Sequence, residues 1–118
     1  MRVLIVDDSA DICWVYQRQL QELGHEVFAV QDSCKALDYA KHFHPDVVVL
    51  DICMPGMDGW EVARQFRADP KTRIVRLVAV TAMAGHASER RSADVGFDNH
   101  FGKPLRFEQW PRVLSPGC

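Results

Sequence analysis

A chain of 118 residues, 47% apolar and 25% charged, is long enough to bury one core and too short for two domains. Its formal net charge of −2 excludes a global basic field for nucleic acid or an anionic membrane. The cysteines Cys13, Cys34, Cys53 and Cys118 form no CxxC, which argues against a zinc site or a dithiol pair and suits a reducing cytosol.

No leader-like segment and no apolar stretch near twenty residues opens the chain, so the expectation is a cytoplasmic protein without a membrane span. The first strand is predicted at "RVLIV" (2–6) and runs straight into Asp7 and Asp8. A helix follows over 10–24, with Ile12, Tyr16, Leu20 and Leu23 at helical spacing and Gly24 as its stop. Trp14 projects opposite that stripe, beside Val15, so an exposed aromatic is expected there. "HEVFAV" (25–30) is a second strand. "CKALDYAKHF" (34–43) is a second helix with Leu37, Ala40 and Phe43 inward. The "HFH" at 42–44 invites a metal reading, but basic residues suit a helix end through its dipole.

"DVVVL" (46–50) is fit only for a fully buried strand, and it ends on Asp51. After a Met, Pro and Gly loop, Asp58 caps a third helix over 58–69, with Val62 and Phe66 on one face and Pro70 beyond its end. "IVRLVAV" (74–80) is the fourth strand, followed by Thr81 and the small Ala82. "HASERRSADVG" (86–96) is a fourth helix with only Ala and Val to bury, its "ERR" (89–91) a solvated face. A weak fifth strand, "NHF" (99–101), leads to Lys103 and Pro104. "LRFEQWPRVL" (105–114) is a last helix interrupted by Pro111, and 115–118 is a tail or linker stub behind one domain of 1–114.

Near-continuous hydrophobic strands are the pattern of parallel strands covered on both faces. Five β–α units predict a single α/β fold with a doubly wound parallel sheet, right-handed crossovers and ligands beyond the carboxyl ends of the strands. Those ends carry Asp7, Asp8, Asp51, Thr81 and Lys103. Each alone is an ordinary turn former, cap or solvated cation; together they aim at one crevice. Three close carboxylates repel one another and call for a hard divalent cation such as Mg²⁺, which leaves room for a phosphate oxygen. A lysine and a threonine suit the other phosphoryl oxygens, and the Asp51 carboxylate can be the nucleophile that forms an aspartyl phosphate.

At this point the sequence resembles the receiver domain of two-component response regulators. The likeness is carried by "VDD" (6–8), "PDVVVLDICMPGMDGWEVARQFR" (45–67), "AVTAM" (79–83) and "GFDNHFGKPL" (96–105), and runs over about the whole chain. It implies a five-stranded flavodoxin-like (βα)5 fold of strand order 2-1-3-4-5. It implies Asp51 as phospho-acceptor, and Asp7, Asp8, Asp51 and the backbone carbonyl of Cys53 as holders of Mg²⁺, with Mn²⁺ able to substitute. Thr81 matches the switch hydroxyl and Lys103 the phosphoryl-contacting lysine, with Ala82 beside them. The Lys103–Pro104 peptide is implied to be cis.

His100 departs from the aromatic usual at its position, and reads as a half-buried ring or as a rotamer switch that also answers to protonation. Pro111 argues against a dimer built on the last helix, so a monomer or weak dimer is expected. Cys53 and Met83 occupy the positions that guide or block the attacking water, and neither offers it a good hydrogen bond, which predicts slow self-dephosphorylation.

The implied partners are a histidine kinase or histidine phosphotransfer protein upstream and a protein target or attached output domain downstream, without direct nucleic-acid or membrane contact. Phosphorylation is expected to reshape the face of the fourth helix, fifth strand and fifth helix. Trp14, Val15 and Pro104 are candidate docking residues for the donor. No enzymatic activity beyond self-phosphorylation from small donors and self-dephosphorylation is expected. A nucleotide-binding enzyme is disfavoured because "VDDSADICW" lacks both phosphate-cradling glycine patterns. An aspartyl phosphatase is disfavoured because Cys53 stands where its acid belongs. The alternative kept open is a receiver-like module that binds partners without phosphorylation.

Overall fold

The computed structural model describes residues 1–82 and 86–115, without the side chains of His86 and Ala87. Strands β1 (Arg2–Val6), β2 (Glu26–Val30), β3 (Val47–Leu50), β4 (Arg76–Thr81) and β5 (Asn99–Gly102) alternate with helices α1 (Ala10–Glu22), α2 (Ala36–Phe43), α3 (Gly59–Ala68), α4 (His86–Asp94) and α5 (Trp110–Leu114). The strands form one parallel sheet of order β2-β1-β3-β4-β5. This is the expected five-stranded flavodoxin-like fold. No helix among the described residues is long and apolar enough to cross a membrane.

Alternation along each strand splits the core in two. Leu4, Val6, Val48, Leu50, Leu77 and Ala79 face α2 and α3, where Ala36, Ala40, Val62 and Phe66 meet them. Val3, Ile5, Val47, Val49, Val78 and Val80 face α1 and α5, meeting Tyr16, Leu20, Trp110 and Val113. Both faces being covered explains why β3 can be apolar at every position.

Helix ends follow local chemistry. Ser9 caps α1, its hydroxyl accepting from the Ile12 N–H, and Asp58 caps α3 by accepting from the Glu61 N–H. At the other end of α1, His25 N–H reaches Leu20 O and Gly24 N–H reaches Gln21 O, with Gly24 at φ 90°. That pair of bonds needs a left-handed residue, which glycine supplies.

Four details differ from the sequence pattern. On α1 the buried stripe is Cys13, Tyr16 and Leu20, whereas Leu23 forms the C-cap and is exposed. β4 begins at Arg76, and Ile74, counted above as strand, lies in the preceding turn at 91% exposure. Pro111 sits in the first turn of α5, after a 3-10 turn at Phe107–Gln109, so it opens a short helix where the pattern read an interruption. A first-turn residue needs no N–H partner, which is why proline is tolerated there. The buried residues described on α4 are Ser88 and Ser92, where the pattern offered only Ala and Val.

Candidate functional site

Asp7 and Asp51 are neighbours because β1 and β3 are. Val6 pairs with Leu50; the β1–β3 ladder continues through Asp51 N–H to Val6 O at 2.9 Å, and the β1–β2 ladder through Asp7 N–H to Val30 O at 3.1 Å. The next residue, Asp8, turns outward and is exposed. Carboxylate oxygens of Asp7, Asp8 and Asp51 lie within 4.8 Å of one another. Asp7 and Asp51 are themselves buried, at 3% and 6% exposure.

Local bonds orient each acid. Asp7 Oδ1 accepts the Ser9 N–H at 2.9 Å, and Asp51 Oδ1 accepts the Cys53 N–H at 3.2 Å. Lys103 comes from the end of β5, where its N–H donates to Thr81 O at 2.9 Å. Its Nζ donates to Asp7 Oδ2 at 2.8 Å and to Asp51 Oδ2 at 3.0 Å. The Lys103–Pro104 peptide is cis.

Burial pushes the Asp51 carboxyl above its usual range; Lys103 opposes that shift and the charge of Asp7 adds to it. Burial pulls the Lys103 ammonium down, yet its two carboxylate partners outweigh this and raise it. The pocket therefore holds more negative charge than one ammonium offsets. All its free oxygens are hard donors, the set that suits Mg²⁺ or Mn²⁺. The acidic cluster can hold a metal ion on these grounds.

Thr81 is fully buried at the end of β4, and its hydroxyl is 4.0 Å from Cys53 Sγ. Ala82 is exposed beside it. His100 is half-buried on β5, opposite Ala79, with Nε2 3.4 Å from Ser88 Oγ. Pro104 is exposed. Trp14 is exposed at 61% and Val15 at 40%, with the Arg18 guanidinium 5.2 Å from the Trp14 ring. Met83 and the tail residues 116–118 lie outside the described residues.

Three residues around the site escaped the sequence reading. A Cβ on Gly59 would stand 2.4 Å from Asp51 O and 2.7 Å from Ile52 Cα, so α3 seats its first turn on the backbone of the Asp51 loop only because that residue is glycine. The glycine after Asp58 was the available signal. Trp60 is buried, donates Nε1–H to Ser92 Oγ at 3.3 Å and carries the Arg91 guanidinium 3.9 Å over its ring. Glu89, Arg90 and Arg91 are exposed, as the solvated-face reading expects, and Arg91 in addition tethers α4 to α3. Nothing local in "ERR" signals a ring 31 residues away in the chain.

Residues 3–114 match the response regulator receiver domain family. The chain is 34% identical over 104 residues to Response regulator PleD of Caulobacter vibrioides, covering 88% of this chain and 23% of that protein. It therefore spans about a quarter of that relative's length. Against Polar-differentiation response regulator DivK of Brucella ovis it is 30% identical over 113 residues, covering 96% of this chain and 92% of DivK. Among solved structures, chemotaxis protein CheY4 of Vibrio cholerae superposes with a TM-score of 0.91 at 28% identity, covering 96% of this chain and 94% of that one. The order of the sheet, the meeting of its strand-end acids and these likenesses agree: the chain belongs to the receiver domains of response regulators, the family of two-component signalling.

Proposed function

We propose that the chain is a Mg²⁺-dependent phospho-receiver in which Asp51 takes a phosphoryl group from a histidine kinase or histidine phosphotransfer protein. The observation that carries this reading is the convergence of Asp7, Asp8 and Asp51 within 4.8 Å, with Lys103 bonded to two of them. An Asp51 carboxylate oxygen attacks phosphorus of the donor's phosphohistidine. A P–O bond forms as the P–N bond breaks, and the imidazole leaves with the electron pair. Lys103 stays beside Asp51 and offsets charge on the transferred oxygens. Mg²⁺ or Mn²⁺, held by Asp7, Asp8, Asp51 and the Cys53 carbonyl, would supply the hard cationic centre for those oxygens.

The Thr81 hydroxyl turns from Cys53 to the phosphoryl group, Ala82 lines the same mouth, and His100 takes up the room released. The α4–β5–α5 face then presents a changed surface to a downstream protein or an attached output domain. The buried side chains described on α4, Ser88 and Ser92, are small and polar, which supports this, because an element with little apolar burial shifts at low cost. Exposed Trp14, Val15 and Pro104 form the donor's docking surface. The chain's own chemistry is limited to phosphorylation from small donors and hydrolysis of its own phosphate.

Incubation with acetyl phosphate and Mg²⁺ should add one phosphoryl group to the intact mass, and Asp51→Asn should stay unmodified. An unmodified wild type would favour the phosphorylation-independent binding module. The phosphorylated form should last minutes or longer, since Cys53 offers water no strong hydrogen bond. Decay within seconds would remove that part of the reading.

A further inference from the structure

Tyr16 is a buried titratable group that the phosphoryl chemistry above does not use. It lies on α1 at 5% exposure, one turn beyond Cys13, whose thiol donates to Asp7 O at 3.2 Å. The Tyr16 hydroxyl is hydrogen-bonded to the backbone of Leu105. That bond favours the ionised phenol, so it is donated by the Leu105 N–H. Burial pushes the phenol above its ordinary 10.0, and Lys103, Asp7 and Asp51 lie near enough for their charges to act on it. The ring is fixed from its other side. Trp110, fully buried, meets it edge to face, with centroids 5.1 Å apart and planes at 86°. Trp110 Nε1–H donates in turn to Gln19 Oε1 on α1 at 2.7 Å, so α1 and α5 are cross-linked around the tyrosine.

These contacts bracket Lys103. Its own N–H is held by Thr81 O at 2.9 Å, and two residues later Leu105 is held by Tyr16. Between the two anchors the Lys103 side chain reaches Asp7 at 2.8 Å and Asp51 at 3.0 Å. We propose that Tyr16 is a positioning residue for phosphoryl transfer: its hydroxyl, braced by Trp110, anchors the chain after Lys103 so that the ammonium meets the transferred oxygens at Asp51. The inference rests on the reading of Asp51 as acceptor. The ring alone would fill the space between α1 and α5; only the hydroxyl reaches the segment that carries Lys103. Without it, the buried Leu105 would keep an unpaired N–H, and the segment would lose one of its two anchors. The residues assigned to Mg²⁺, Asp7, Asp8, Asp51 and the Cys53 carbonyl, follow β1 and β3. Loss of the hydroxyl should therefore disturb the phosphoryl contact and spare the metal.

Tyr16→Phe in the full chain keeps the ring against Trp110 and removes the hydroxyl. With acetyl phosphate and saturating Mg²⁺, its phosphorylation rate should fall about tenfold, because a small misplacement beside the reacting atoms costs rate steeply. Its Mg²⁺ dissociation constant, read by calorimetry, should not rise. The ¹H–¹⁵N ammonium resonance of Lys103, assigned by its loss in Lys103→Arg, should broaden as the two carboxylate bonds loosen. Gln19→Leu should lower the rate by a smaller factor, and Gln19→Glu, which keeps an oxygen for Trp110, should restore it. A Tyr16→Phe variant with the rate and ammonium resonance of the wild type would overturn the proposal. So would a rate loss matched by an equal loss of Mg²⁺ affinity, which marks general loosening. A wild type that takes up no phosphate would overturn the acceptor reading instead. The Lys103 resonance then still decides whether Tyr16 anchors that segment: broadened in Tyr16→Phe, it does; unchanged, it does not.

Discussion

The two ends of this sheet handle charge in opposite ways. At the amino end, Arg67 spends five hydrogen-bond contacts on Gly96 O, Arg73 O, Val75 O and Asp98 Oδ2. A guanidinium has five N–H donors, so this cation is saturated by the protein itself. At the carboxyl end, three carboxylates meet and Lys103 is the ammonium that bridges two of them. One cluster is closed and ties α3 to the turns before β4 and β5. The other keeps an excess of negative oxygen that only something from outside can balance. Saturation marks the first as scaffold, and its absence marks the second as a site.

The largest test of that contrast removes each cation in turn. Lys103→Met leaves two buried carboxylates facing each other and should cost about 3 kcal/mol of stability without divalent ions. Mg²⁺ should restore much of it, because a ligand that binds only the folded state adds about 2.7 kcal/mol at a hundredfold excess over its Kd. Arg67→Met should cost about 2 kcal/mol, from carbonyls left without donors, and Mg²⁺ should stabilise it no more than it does the wild type. Denaturant melts with and without Mg²⁺ measure both. Equal Mg²⁺ responses from the Lys103 and Arg67 variants would erase the distinction.

A smaller effect separates the ends by pH. With the folded-state value of Asp51 raised above its ordinary 3.8, the native chain holds that proton where the unfolded chain has lost it. Stability without Mg²⁺ therefore falls as pH rises from 3.8 through the raised value, then levels off. Asp51→Asn should gain stability relative to wild type across the same window, read as the difference between two melting-temperature profiles. The Asp69 carboxyl, held low by its bond from Lys41, works the other way: its contribution fades as pH drops. That contribution is shared by both proteins and cancels in the difference.

The smallest effect concerns thiols. Burial, reinforced by the charge of Asp7, pushes Cys13 from 9.0 to about 11, and its Sγ–H donates to Asp7 O at 3.2 Å. Cys34 and Cys53 are exposed. Iodoacetamide should label those two in the native state while Cys13 reacts about a hundredfold more slowly, for want of thiolate. Labelling of Cys13 at the rate of Cys53 would mean that the floor of the acidic pocket opens freely.

Much of this was legible in the residues. The run of Val and Leu ending on Asp51 could only be a strand covered on both faces, and the acids at 7, 8 and 51 had to share its mouth once β1 and β3 paired. Period-2 and period-3.6 patterns report which faces are apolar, and strand-end positions are fixed by the chain itself, so fold class and the composition of the pocket follow from sequence. Tertiary structure alone decided the rest. It turned Ile74 outward, because a guanidinium from α3 holds the turn before β4. It made Pro111 a helix opener, because a preceding 3-10 turn changed its place in the helix. It set Gly59 against the Asp51 backbone and Arg91 over Trp60. Each of these depends on a partner distant in the sequence, and a contact between remote segments leaves no period in the chain from which it could be read.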